Sequence, residues 1–340
     1  MTTFFTGRRG LITALVVLAV GLALPFIPGL YDVVAINIMC WALFAVALDL
    51  MLGYGGMLSF GHAMFWGTGA YAALYVYNNY GGSLPLAFLT AIVFSFLLAI
   101  VTGYIAIRRV GIYLAMITLA LAEMIKYVCV EASSITGGED GLHFGARGSF
   151  FGIPLSDDHA YYYFVLVIVA IVLTFTIRVV TSPFGQVMAA MRENEQRARS
   201  LGYDTKRYKF ITFIMSGTIA GLAGALYGVG NRLAGLDLVD WHTSGAVVMM
   251  TILGGIGTLY GPMVGAALFE MLQYFIPKTP IGDKTFLVEG IIFAVIILAA
   301  RRGIVGEILH TLSLRHHPRV VEDDTKGNAL VPDPVATSDT

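Results

Sequence analysis

Eight stretches of this sequence are apolar for long enough to cross a lipid bilayer, which takes about 20 residues of helix. They are Leu11–Gly29, Val33–Leu52, Met57–Tyr77, Leu84–Ile107, Val110–Val130, Ala160–Ile177, Phe210–Gly230 and Thr285–Ala300. A further stretch, Ser244–Ile276, is broken by Gly254-Gly255-Ile256-Gly257-Thr258-Leu259-Tyr260-Gly261-Pro262. Hydrocarbon offers no water to backbone N–H and C=O groups. Spanning segments must therefore be helical, and an irregular break must be buried in protein or line a cavity. The expected fold is an all-α polytopic membrane protein. It has eight full transmembrane helices plus the Gly-broken pair of short membrane segments, about ten elements in all.

Composition agrees. Charged residues are 13% of 340, against roughly 25% in a soluble domain. A cytosolic enzyme, a nucleic-acid binder and a disordered chain are excluded. Cys40 and Cys129 lie in apolar runs without metal or redox spacing and read as small buried hydrophobes. The first apolar run follows Arg8 and Arg9. It is too long for a signal core and lacks a small-residue cleavage site, so it is expected to be a retained helix.

Positive charge orients the chain. With the N-terminus inside, the inner segments hold Arg8, Arg9, Arg108, Arg109, seven basic residues across 178–209 and five from Arg301 onward. The outer segments hold only Arg147, Arg232, Lys278 and Lys284. Both termini are then cytoplasmic. Parity requires the 244–276 stretch to enter and return, either as two short crossings or as a re-entrant pair.

Two connections are long. Residues 131–159 form an external loop that is acidic apart from Arg147. Residues 182–202 read as a cytoplasmic helix. Ser182-Pro183 supplies a cap and a first-turn proline, and Gly202 a terminator. Such a helix either lies on the membrane linking two spans or docks a cytoplasmic partner. Residues 1–302 form the membrane domain. Residues 303–340 form a cytoplasmic tail, expected to be largely disordered.

Catalytic motifs are absent: there is no G-x-x-x-x-G-K-[ST], no H-E-x-x-H and no G-x-S-x-G. The seven His residues are scattered, and no metal site is expected. Asp49, Glu123, Glu270 and Glu289 fall within spans, where acids can mark an ion-coupled carrier. Glu123 and Lys126, three apart, are expected to pair.

Glycine spacing says more. Gly217, Gly221, Gly224 and Gly228 share one helix face and allow a close helix contact. The segment Gly53-Tyr54-Gly55-Gly56-Met57-Leu58-Ser59-Phe60-Gly61-His62-Ala63 echoes the later Gly254–Gly265 break. Two Gly-interrupted segments in corresponding halves point to a transport route at a repeat interface; packing glycines are the alternative. On the first reading Ser59, Gly61, His62, Thr258 and Gly261 border the route.

Three segments together resemble the LivM-type permeases of the branched-chain amino-acid ABC importer family. They are Leu52 to Phe65, Thr136-Gly137-Gly138-Glu139-Asp140-Gly141-Leu142, and Met191-Arg192-Glu193-Asn194-Glu195-Gln196-Arg197-Ala198-Arg199-Ser200-Leu201-Gly202-Tyr203. The similarity runs on through Tyr208-Lys209-Phe210 and Ser216 to Tyr227, covering roughly residues 30–302. Trp66 departs from it. The resemblance implies a transport subunit of the bacterial inner membrane that is not itself an enzyme. It implies no cofactor in this chain, with ATP and Mg on partner subunits. The implied partners are a homologous second permease, two cytoplasmic ATPases and an external solute-binding protein. By position, residues 182–202 match the family's coupling helix, with Glu193, Asn194, Arg197, Ala198, Leu201 and Gly202 toward the ATPase. Ser59-Phe60-Gly61-His62 and Glu139-Asp140-Gly141-Leu142 favour branched-chain amino acids over urea or short amides. An ion-coupled secondary transporter is the rival from another class.

Overall fold

The chain is described from a computed structural model that covers residue 21, residues 31–278 except 81, 144, 146 and 151, residues 285–299 and residues 303–307. Apart from Gly21, the expected span Leu11–Gly29 lies outside the described residues, as do Lys284, Arg301, Arg302 and the tail beyond Glu307.

The molecule is a helical bundle. Five described helical segments are long and apolar enough to cross a membrane. The first is α1 (Asp32–Asp49), which widens into a π-helical turn at Leu50–Tyr54. The others are α3 (Leu84–Ala106), α4 (Ile112–Glu131), α6 (Asp158–Thr181) and α9 (Thr205–Asn231). Between them come α2 (Ala63–Asn79), the short α5 (Ser133–Thr136), α7 (Pro183–Glu193) and α8 (Glu195–Ser200). The chain continues with α10 (Trp241–Gly254), α11 (Gly261–Phe275) and α12 (Thr285–Ala299).

Two expectations change here. The span expected at Met57–Tyr77 is helical only from Ala63; residues 55–62 form an irregular leg. The helix expected across 182–202 is two helices, because Asn194 leaves helical geometry (φ −155°, ψ 98°). Its side chain accepts the N–H of Arg197 at 2.9 Å and caps α8, the role that short polar side chains favour over a helix interior. Glu193 and Arg197 therefore sit on different helices, and their four-residue spacing does not make them neighbours. Gly202, at φ +91°, closes α8. Its N–H bonds Arg199 O, and that of Tyr203 bonds Ala198 O, the paired bonds of a Schellman end.

α1 and α9 form the centre. α1 is buried on nearly every side, from Ala35 to Asp49. α9 packs on α1, α2 and α3 through its glycine row. A Cβ at Gly224 would fall 1.9 Å from the carbonyl oxygen of Trp66, and one at Gly221 would fall 1.8 Å from Ser95 Oγ. Gly69 on α2 meets Gly221 O in the same way, at 1.9 Å. Backbone thus touches backbone, the contact that small residues permit where water supplies no driving force between helices. Trp66 fills the space beside it, stacked on Phe44 at 4.5 Å and on Trp41 at 5.0 Å. Exposed apolar side chains of α3, α4 and α12, among them Phe94, Met116 and Leu298, give the bundle its lipid-facing surface.

At the acidic end of the bundle, β1 (Leu142–His143) pairs antiparallel with β2 (Leu233–Ala234). Arg147 is buried there. It donates to Val229 O (3.1 Å), Gly230 O (2.5 Å) and Asp158 Oδ1 (2.7 Å), and lies over the Tyr161 ring. It neutralises the C-terminal carbonyls of α9. Lys126 pairs with Asp240 rather than with Glu123, whose Oε1 is buried without a partner. Asp240 caps α10, accepting from His242 N at 2.8 Å. Burial alone would raise its carboxyl, but the bonds from Lys126 and His242 outweigh that and hold it below the usual range.

Candidate functional site

The two glycine-rich breaks meet at the basic end of the bundle, where α7 and α8 lie. They meet through Gly53 and Gly257, rather than through the five residues expected to border a route. A Cβ at Gly53 would fall 2.6 Å from Gly257 N and 2.2 Å from Asp49 Oδ1. The bare backbone and the π-helical turn let the carboxylate of Asp49 turn across to the second break. Oδ1 accepts the N–H of Gly257 at 2.7 Å, and Oδ2 accepts that of Leu259 at 3.4 Å. Asp49 is completely buried. It therefore acts as the cap of the α10–α11 hinge. The sequence had offered only an acid near a helix end.

The hinge itself is strained. Leu259 has φ +60°, a rare conformation for a branched side chain. Thr258 holds it: its hydroxyl donates to Gly255 O (2.7 Å) and accepts Gly261 N (3.1 Å), which starts α11. Gly265 packs on Met250 O at 1.9 Å from its would-be Cβ, so α10 and α11 close into a tight hairpin. Each has 14 or 15 residues, about 22 Å of helix, against a hydrocarbon core of about 30 Å. The hinge lies beside Arg192 of α7, at the basic end. The hairpin thus runs to that end as two short legs.

Arg192 joins the two breaks to α7. Its guanidinium donates to Gly53 O and lies 3.0 Å from the place of a Cβ at Gly257. Its stem covers Gly56, which sits at φ +66°. In the sequence Asp49 is marked only as an acid within a span and Arg192 only as part of the 191–203 segment; their partners, 139 residues from Arg192 and 208 from Asp49, carry no local signal.

The first break then descends into the bundle, and hydroxyls accept three of its backbone N–H groups. Phe60 N–H donates to Thr118 Oγ1 (3.2 Å), Gly61 N–H to Ser59 Oγ (3.2 Å) and Ala63 N–H to Ser244 Oγ (2.9 Å). Ser216 donates to Ala47 O, so its oxygen accepts from His62 Nε2 at 2.8 Å. That places the imidazole proton on Nε2 and leaves Nδ1 a buried acceptor without a partner. Ser59, His62 and Thr258 are all buried here. A Cβ at Gly61 would fall 2.1 Å from the Thr118 carbonyl oxygen, and one at Gly261 would fall 2.2 Å from Thr258 Oγ1.

On α7 and α8, Glu193, Asn194, Arg197, Leu201 and Gly202 are exposed. Leu201 is 72% exposed, high for an apolar side chain at a helix end. Ala198 differs from expectation. It is 3% exposed and packs with Val187, Met191 and Tyr208 of this same chain, so its methyl is unavailable to a partner. The pair is tied to α9 by Glu195, which bonds Lys209 (2.6 Å) and Arg199 (3.2 Å). Burial pushes the Glu195 carboxyl up, but the bond and charge of Lys209, the Thr205 hydroxyl and the Arg199 charge together outweigh it, and the net position is below the usual range. Among the described residues no group of His, Cys, Asp or Glu is placed to hold a metal ion.

A multi-pass helical bundle hinged on two buried glycine-rich breaks, with an amphipathic helix tied to both, has the architecture of a membrane transport subunit. The chain belongs to the family of branched-chain amino acid transport system permease components, whose model matches residues 30–300. It is 29% identical over 284 residues to the high-affinity branched-chain amino acid transport system permease protein LivM of Escherichia coli strain K12, covering 76% of this chain and 66% of that one. A probable branched-chain amino acid transport permease protein LivM of Methanocaldococcus jannaschii is 27% identical over 68% of this chain and 72% of its own. The permease protein LivH of E. coli K12 is 24% identical over 78% of this chain and 91% of its own. The chain thus spans just under two thirds of the length of the E. coli LivM relative. No solved structure matches it.

Proposed function

We propose that this chain is one of two homologous permeases of an ATP-driven importer that carries branched-chain amino acids inward by alternating access. Family membership and the likeness to both LivM and LivH support the pairing. In this reading the basic end is cytoplasmic, and so are both chain termini. Two ATPases supply ATP and Mg chemistry, and an external binding protein delivers the solute. The exposed patch of Glu193, Asn194, Arg197, Leu201 and Gly202 meets an ATPase. Ala198 supports that patch from beneath.

The observation that carries the reading is Arg192. A movement imposed on α7 reaches the Gly53 carbonyl and the Gly257 hinge through one guanidinium. Glycine-rich backbone there can change conformation with little side-chain obstruction. The solute route opens alongside Ser59, Gly61, His62, Thr258 and Gly261, which are packed shut in this conformation.

The test is uptake of leucine into proteoliposomes holding the chain with its second permease, ATPases and binding protein. ATP-dependent uptake of leucine, and not of urea, is the expected result. Arg192→Gln should retain ATP hydrolysis and lose uptake. Uptake driven by an ion gradient, by this chain alone, would replace the reading with a secondary transporter.

A further inference from the structure

A cavity of about 210 Å³ opens at the basic end, between the α3–α4 turn, the first glycine-rich break and α7. Its charged lining is Arg109, Arg192, Lys209 and Glu195, three cations against one carboxylate. Glu195 is already paired with Lys209 and Arg199. Arg192 donates to Gly53 O and has Asp49 within electrostatic reach. The Arg109 side chain is exposed, with no hydrogen-bond or ion-pair partner among the described residues. The cavity is therefore an electropositive recess with one uncommitted cation at its rim.

Two facts narrow the occupant. The volume is below the roughly 300–1,000 Å³ of sites for drug-sized molecules, so it suits a small anionic group rather than a whole nucleotide. Beside it, α3 and α4 expose Ile105 (46%), Ile112 (72%) and Met116 (61%). A free anion would use only the recess. An anion attached to hydrocarbon would use both surfaces.

We propose that this recess seats the phosphate of an anionic phospholipid, its acyl chains lying along the exposed faces of α3 and α4. Basic pockets between membrane helices at a bilayer surface attract such headgroups. Arg109 makes the direct contact, and Arg192 and Lys209 supply the surrounding field. The seated lipid then bears on Arg192, the side chain that holds the first break. The proposal rests on the cavity and on residence in a membrane, and not on which solute is carried.

The test uses the detergent-purified complex. It is incubated with vesicles of phosphatidylcholine alone or with added phosphatidylglycerol, washed, and read by native mass spectrometry. The parent should retain phosphatidylglycerol in preference to phosphatidylcholine. Arg109→Gln should retain about fivefold less, and Arg109→Lys should retain it nearly as the parent does. Arg108→Gln should change nothing, because that guanidinium lies over the Tyr104 ring at 4.4 Å. Equal retention by the parent and Arg109→Gln overturns the site. Inorganic phosphate that raises the melting temperature as much as the lipid does would assign the recess to a soluble anion. Loss of the ATPase subunits from Arg109→Gln, with lipid unchanged, would make it a protein contact. Either result overturns the lipid.

Discussion

The carboxylate of Asp49 holds the backbone N–H of Gly257 at 2.7 Å, across 208 residues of sequence. One side chain of α1 thereby fixes the hinge of a hairpin that forms much later in the chain. Asp49→Ala would leave a buried N–H group at Leu259 and a half-buried one at Gly257 without acceptors, at a cost on the order of 2 kcal/mol. Asp49→Asn keeps one acceptor but can turn an NH₂ toward Leu259 N–H. Both variants should melt at lower temperature than the parent complex, Ala more than Asn. Asn should still assemble while losing uptake by about tenfold, the equivalent of one charge-assisted bond. Parent-like melting and uptake for both would show that the hinge does not depend on Asp49.

Gly224→Leu should prevent assembly. Its side chain would begin 1.9 Å from the Trp66 carbonyl oxygen, where only backbone could yield. Overpacking of this kind costs about 3 kcal/mol or more. Gly202→Ala, in open space but at φ +91°, should cost less and leave the bundle intact. Yield and monodispersity of the extracted complex separate the two.

Ala198 and Leu201 should fail differently. Ala198→Gln overfills the cluster with Val187, Met191 and Tyr208, so α8 should lift from the bundle, with a penalty of about 1–3 kcal/mol. Limited proteolysis should then cut within 195–200. Leu201→Gln, at an exposed site, should leave proteolysis unchanged and weaken ATPase retention. Identical behaviour of both variants in the two assays would undo the distinction between support and contact.

Glu195 gives a pH dependence. Its carboxyl lies below the ordinary value of 4.5 in the folded chain, because Lys209, Thr205 and Arg199 together outweigh the effect of burial. Stability from a depressed carboxylate is complete above its unfolded value and is lost as pH falls through the folded one. Amide protection across 195–202, corrected for intrinsic exchange, should therefore be flat from pH 7 to about 5 and decline below 4.5. Glu195→Gln should abolish that decline.

Arg147→Met should lower the melting temperature without touching ATPase binding. It strips two carbonyls at the end of α9 and an ion pair with Asp158, roughly 3 kcal/mol. Co-purification of the ATPases is the control.

What was readable from the sequence follows its periodicity. The spans are long and apolar, and the glycine row steps along one face of α9, so both are local patterns. Gly202 ends α8 for a reason visible in the residue itself. Asn194 carries a local signal: an amide side chain followed at once by Glu195 is an N-cap signature, and it splits the expected helix in two. Ala198 departs from the expected partner-facing position for the same reason, since the kink turns its methyl toward Val187 and Met191. Asp49, Arg192 and Arg147 had no such signal. Each is defined by backbone groups far off in sequence, and backbone groups carry no letter.

The Asp49 cap also orders the birth of the molecule. α1 is synthesised and inserted long before Gly257 and Leu259 exist, so its carboxylate must wait at the membrane surface, hydrated, until the last third of the chain arrives. Only then can it be drawn in and lose its water. The α10–α11 hairpin, whose legs are too short to span unaided, cannot close its own hinge before that meeting. Closure of that hinge is thereby made conditional on correct placement of α1.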